Sequence, residues 1–317
     1  MSFTRQKYSM NYLYRLLRLL GSAVLLWLLM IPSVYGASLS TESPQVQRLI
    51  RSSLKQIQLQ DYTQAFEQLT QAIQLSPNSI PAYHSRCWLS IQLEDYSQAR
   101  LDCGQAVHLD SQDIESLLNL GLSYYRTGQF DQAITAYTQI LQIQPDEARA
   151  YYSRGLSHFE QQDYARAIAD YDQALKLANS LEDSTVAEIY TDRGIAYFWN
   201  QNASQAITDF SEAIAFNPNN PRAYHSRGCA CHHQGDIPGS IQDFTTALTL
   251  APNNAQTYFK RGVSQQQQGL YAKALGDFQK AAQCFHQQGN QPAFFQVSAQ
   301  IRQLKNWLAV TGLTAIS

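Results

Sequence analysis

The chain has 317 residues, 44 % of them hydrophobic and 15 % charged, with a formal net charge of −2. That length holds one long domain or two ordinary ones, enough for a sizeable core. So small a charge, with no Lys/Arg cluster after Arg18, argues against nucleic acid as a main partner, because phosphate binding needs a concentrated basic face.

Residues 1–36 stand apart. Arg5, Lys7, Arg15 and Arg18 are the only charged side chains before Glu42. An uncharged apolar run follows from Leu19, closed by Pro32, and Val34-Tyr35-Gly36-Ala37 puts small or modest residues where a signal peptidase cuts. The order basic, apolar, small reads as a secretory signal peptide. The uncharged stretch from Leu19 to Thr41 is also long enough to span a bilayer, so an uncleaved membrane anchor over residues 19–37 is the other reading. Both place the rest of the chain outside the cytoplasm, periplasmic or secreted. Residues 37–45 read as a polar linker.

From residue 46 the chain aligns on itself every 34 residues, in copies 46–79, 80–113, 114–147, 148–181, 187–220, 221–254 and 255–288. Five extra residues near 182–186 lengthen one turn. Each copy reads as two short amphipathic helices. Gly121, Gly155, Gly194, Gly228 and Gly262 fix the register of the first helix; Ala65, Ala99, Ala133, Ala167, Ala206, Ser240 and Ala274 fix the second. Pro77, Pro145, Pro218 and Pro252 stand where helix cannot continue, and Asp61, Asp95, Asp163 and Asp236 suit N-caps. Two helices of this size cannot bury their apolar stripes alone, but stacked copies can. Residues 291–309 form a last helix, with Phe294, Val297, Ile301, Leu304 and Leu308 on its apolar face, expected to cap the array; the tail 310–317 is expected to fray.

A 34-residue unit with Tyr, Gly, Tyr, Ala, Phe, Ala and Pro in this order, as in Tyr190, Gly194, Tyr197, Ala206, Phe210, Ala213 and Pro218, resembles the tetratricopeptide repeat. The resemblance covers about residues 46–288. It implies an all-α, right-handed superhelical solenoid of seven helix pairs with a C-terminal capping helix. The first helices would line a concave groove that takes a peptide or protein partner. The function so implied is that of a non-enzymatic scaffold or adaptor, one that could aid assembly of an envelope or membrane complex. One subclass grips the C-terminal carboxylate of heat-shock chaperones with Lys and Asn. The matching slots here hold Leu54, Trp88 and Leu122, or Leu156, Ile195 and Cys229, so that clamp is not expected.

The copies also covary among themselves. Arg precedes the small residue of the first helix in five of them (Arg86, Arg154, Arg193, Arg227, Arg261), and Asp precedes the aromatic slot of the second helix in the same five (Asp102, Asp170, Asp209, Asp243, Asp277). The other two lack both, with Ser52/Gln68 and Leu120/Ala136. Joint loss points to an Arg–Asp pair, within each repeat or to its neighbour, with a structural role.

No phosphate loop, nucleophile elbow or metalloprotease motif is present, and no cofactor is expected. On the groove side the repeat pattern places His84, Trp88, Tyr125, Tyr152, Phe159, Phe198, Trp199, His225, His232 and Phe259; Trp88, Trp199 and the histidines are expected to be exposed. A second hypothesis makes the chain a metal- or redox-handling protein through Cys229-Ala230-Cys231-His232-His233 and His225, though this spacing matches no standard zinc motif and no metal is assigned. Cys87 and Cys103 occupy inward slots of the second copy. Outside the cytoplasm a bridge is permitted; otherwise the two are small core residues.

Overall fold

The computed structural model describes Leu39 and residues 41–311. The signal or anchor segment 1–36, three residues of the linker and the tail from 312 lie outside the described residues. Among those described, the chain is all α-helical, as the resemblance implied, and no helix is long and apolar enough to cross a membrane. It divides into two compact units, residues 1–161 and 162–317.

The first unit holds α1 (Pro44–Gln58), α2 (Tyr62–Leu75), α3 (Ile80–Gln92), α4 (Tyr96–Leu109), α5 (Ile114–Arg126), α6 (Phe130–Ile143) and α7 (Ala148–Glu160). These are three helix pairs followed by a single helix. The second unit starts with α8 (Tyr164–Lys176) and a short 3-10 turn, Ala178–Ser180. Three pairs follow: α9 (Asp183–Trp199) with α10 (Ala203–Phe216), α11 (Pro221–Gln234) with α12 (Ile237–Leu250), and α13 (Ala255–Gln267) with α14 (Tyr271–Gln287). The last helix is α15 (Gln291–Thr311). The five extra residues do not all enter a turn, because α9 starts at Asp183 and so gains a helical turn at its N-terminus.

Local chemistry sets these boundaries. Asp61, Asp95, Asp163 and Asp236 each accept a hydrogen bond from a backbone N–H three residues on, and Asn202 does the same for α10. The second helices α2, α6, α10 and α12 stop just before Pro77, Pro145, Pro218 and Pro252. The turn between the helices of a copy needs one left-handed residue. Gly128, Gly235 and Gly269 fill it in three copies, whereas Gln60, Glu94, Gln162 and Gln201 take φ of 59–66° in the others.

Within a pair the helices meet through a ring laid on a glycine. A Cβ at Gly121 would come 2.6 Å from the Tyr137 ring, and one at Gly194, Gly228 or Gly262 would come 2.7–2.9 Å from Phe210, Phe244 or Phe278. These four rings are almost fully buried. In the second copy the same two slots hold Cys87 and Cys103, which are joined in a disulfide with Cα atoms 5.4 Å apart. The bond therefore stands where four later copies place ring against backbone.

Where the arginine is present it fastens its own pair and the joint before it. Arg86 donates Nε and Nη2 to the two carboxylate oxygens of Asp102 at 2.8 and 2.7 Å. Arg193 with Asp209, Arg227 with Asp243 and Arg261 with Asp277 repeat that fork at 2.7–2.9 Å. The remaining Nη1 reaches back to the preceding second helix: to Thr70, Ser211 and Thr245 at 3.0 Å, and from Arg193 to Asp172 at 2.6 Å. Arg154 donates Nη1 to Thr138 at 3.1 Å in the first unit, while Asp170 belongs to the second. So one guanidinium brackets two neighbouring copies. At its far end the second unit closes with α15, whose Val297, Leu304 and Leu308 pack with Phe278 and Phe285 of α14.

Candidate partner-binding face

The first helices of each unit carry the ten residues assigned to the groove side, and the structure divides them. His84, Trp88 and His225 are only 1 %, 4 % and 8 % exposed, so the expectation that they face solvent is corrected. Trp88 belongs to the core cluster that α3 shares with α1 and α2, with Val46 and Ile50 among its members and Leu54 packed against it. His84 Nδ1 lies 3.1 Å from Ser116 Oγ on the next first helix, and Ser116 Oγ donates to Asp113 at 2.6 Å. Burial raises the Asp113 pKa, but hydrogen bonds and charge from His84 and Ser116 outweigh it and hold the carboxyl below its usual value.

His225 repeats this contact, its Nδ1 2.8 Å from Thr257 Oγ1. The hydroxyl appears only after a histidine: the slot of Ser116 and Thr257 holds Arg48, Ala82, Ala150, Ile189 and Ala223 elsewhere. This second covariation, between residues 32 apart, was present in the sequence and is the signal that could have marked both rings as buried. The other ring nitrogen of His225 faces Cys229 Sγ at 3.7 Å. Burial pushes the Cys229 thiol up to about 11, so it stays protonated beside this nitrogen. Burial, then Lys260 and Arg222, push His225 down to about 4.

What stays accessible is a row of partly buried rings. In the first unit it is Tyr125, whose hydroxyl reaches Glu160 at 3.4 Å, with Tyr152 and Phe159 on α7. In the second unit it runs over three consecutive first helices: Phe198 and Trp199 on α9, His232 on α11 and Phe259 on α13. Phe198 meets Trp199 and His233 edge-on, Phe259 leans on the core ring Phe278, and His232 Nδ1 is held by Ser264 at 2.9 Å. Phe259 is thus backed by the core of its own copy, and His232 is held by a hydroxyl of the next.

Charges on this face mostly cancel internally. Arg149 pairs with Glu115 at 2.7 Å, and Arg222 pairs with both Glu188 and the buried Asp192. Sequence reasoning missed these pairs, although Glu115 to Arg149 and Glu188 to Arg222 each span one repeat length. The chemistry left is that of a ring-rich surface, with the Lys260 ammonium acting on His225, Cys229 and His232 from beside Phe259. The Cys/His run does not converge: among the described residues no three metal-ligating side chains come together.

Family models described as tetratricopeptide repeat match residues 118–182, and as TPR repeat residues 196–235 and 228–269. No curated protein matches the chain. Among solved structures the chain is similar to a tetratricopeptide repeat protein from Parabacteroides merdae, at 20 % identity over 81 % of this chain and 100 % of that one, with a TM-score of 0.64. It is similar to pilF of Pseudomonas aeruginosa at 14 % identity, over 70 % and 97 % of the two chains, with a TM-score of 0.59. It is also similar to YrrB, described as a TPR protein with an unusual peptide-binding site, at 18 % identity over 62 % and 97 %, with a TM-score of 0.50. At these identities the likeness is one of fold.

Proposed function

This chain is a tetratricopeptide repeat protein, and from that premise we propose that it is a scaffold whose partner, a peptide or protein segment, lies along its first-helix face. The observation that carries the reading is the row Phe198, Trp199, His232 and Phe259, partly exposed on three successive first helices, with His232 and Phe259 braced from behind. Rigid rings offer contact area at little entropic cost, and the arginines around them are paired internally, which leaves a track of low charge with Lys260 at its edge. A partner reading this track would bring apolar and backbone groups rather than a run of charge. The peptide-binding site of YrrB, a protein of like fold, agrees with this use of stacked repeats.

The place of action in this proposal is outside the cytoplasm. The basic, apolar and small order of residues 1–36 supports export, with residues 19–37 retained as a membrane anchor if cleavage does not occur. The Cys87–Cys103 bond suits an oxidising compartment. Assembly of an envelope or membrane complex fits an exported scaffold.

A photo-crosslinking residue at position 199 of the full chain, in living cells, tests the binding face. Capture of one partner from this position, lost on Phe259→Ala and absent from a probe at Gln283 on a second helix, is the expected result. Equal capture from both positions would remove the assignment of the face. The mass of the mature protein tests export: a chain starting at Ala37 is expected.

A further inference from the structure

The second copy differs from its neighbours in two linked ways. Cys87 stands one repeat length before Gly121 and Cys103 one repeat length before Tyr137, so the disulfide replaces the ring-on-glycine contact. Both cysteines are fully buried. Two separate thiols would have no ring to lay across the gap, and the helix pair would keep a poorly filled seam.

The joint that follows this copy also lacks the guanidinium bracket. Leu120 stands in the arginine slot, Ala136 in the aspartate slot, and Gly104 in the slot of Thr70 and Thr138 that would receive Nη1. A Cβ at Gly104 would meet nothing within 4 Å. Spanning the joint are the His84–Ser116 contact, Leu120 and Leu122 of α5 in one apolar cluster with Cys87 and Cys103, and two stacked pairs, Arg100 over Tyr124 and Arg126 over Tyr96, at 5.9 and 5.5 Å. So α3 and α4 keep the Arg86–Asp102 fork within the pair, while the covalent bond stands in for the ring at their seam and the joint to α5 goes without a guanidinium bracket.

We propose that α3 and α4 are a redox-conditional element: bonded, they stand as a rigid copy; reduced, they keep the Arg86–Asp102 fork but lose the filled seam and open more readily, loosening the helix that carries His84 and Trp88. The inference is independent of which partner, if any, occupies the first-helix face. The reductant is a dithiol. One thiolate attacks one protein sulfur and forms a mixed disulfide, releasing the other cysteine as a thiol. The second thiol of the reductant then displaces the remaining cysteine. Two electrons and two protons pass to Cys87 and Cys103, and the reductant leaves as its own disulfide. Because neither sulfur reaches solvent, attack waits until the pair has opened, and reduction fixes the opened form.

Hydrogen exchange of the full chain, read by mass spectrometry with and without dithiothreitol, tests this. A closed loop of this size is expected to lower amide protection in α3 and α4 about a hundredfold on reduction, with α9 to α14 unchanged. C87S/C103S should show the reduced profile without reductant. C87G/C103F restores the ring-on-glycine contact and should lose the response. Equal protection of α3 and α4 in both redox states of the wild type overturns the proposal on its own, whatever the variants do. So does a response to dithiothreitol that persists in C87G/C103F.

Discussion

Two residues carry predictions of their own. Arg193 is mostly buried and forks onto Asp209 while reaching Asp172. Arg193→Met leaves Asp209 as an unpaired buried carboxylate, a loss of about 3–5 kcal/mol. Adding Asp209→Leu removes that orphan, so urea unfolding should find the double variant more stable than the single. Additive losses would mean that the pair does not act as a unit. His225 stays neutral in the fold down to about pH 4 but takes up a proton near pH 6.5 when unfolded. Below pH 6.5 the unfolded chain binds more protons, so stability is full above that value and falls as pH drops toward 4. The loss is about 3 kcal/mol at the acid end. His225→Gln, which keeps a donor for Thr257, should flatten the difference between unfolding midpoints at pH 7 and pH 5 (~1–2 kcal/mol). The arginine pairs were legible because loss of one partner accompanied loss of the other in the same copies. The burial of His84 and His225 was not, because their partners sit on the following copy, where a hydroxyl replaces alanine or isoleucine and draws no attention by type.

At the scale of the element, the turn inside each copy is where sequence and backbone disagree. Four of seven copies put Gln or Glu in a left-handed conformation, with Gln201 at φ 63°. A side chain there costs about 1–2 kcal/mol relative to the right-handed region, which glycine avoids. Gln201→Gly should therefore raise stability by about 0.5–1 kcal/mol after the extra freedom of glycine in the unfolded chain is counted. Thermal unfolding reads this; a lowered midpoint would show that the Gln201 side chain makes a contact worth more than the strain. Helix ends were legible, since Asp and Pro act on the nearest backbone groups. The disulfide was legible only as a permission. Its register becomes plain once Cys87 and Cys103 are seen to be sixteen residues apart, the spacing of Gly121 and Tyr137. That spacing is a tertiary fact, the distance at which two antiparallel helices of this length face each other.

For the molecule as a whole, the repeat period announces the architecture but not how cohesion is distributed along it. The division after Gln161 falls inside the copy 148–181, and nothing in the 34-residue period marks that point. Because each copy touches mainly its neighbours, stability in such an array is a sum of local terms and nearest-neighbour contacts, and losses should stay local. The end of the second unit tests this. Helix α15 covers Phe285 and packs Val297, Leu304 and Leu308 against α14, while Phe295 and Val310 face outward. Each large side chain so buried contributes about 1.5–3 kcal/mol. A chain ending at Gln288 should thus lose amide protection most in α14 and α13, less in α11 and α12, and little in α9 and α10. It should also aggregate more readily, since Phe285 becomes surface. Uniform loss from α9 to α14 would instead mean that the unit melts as one block, with the guanidinium brackets at Arg227 and Arg261 coupling its copies too strongly for any of them to open alone.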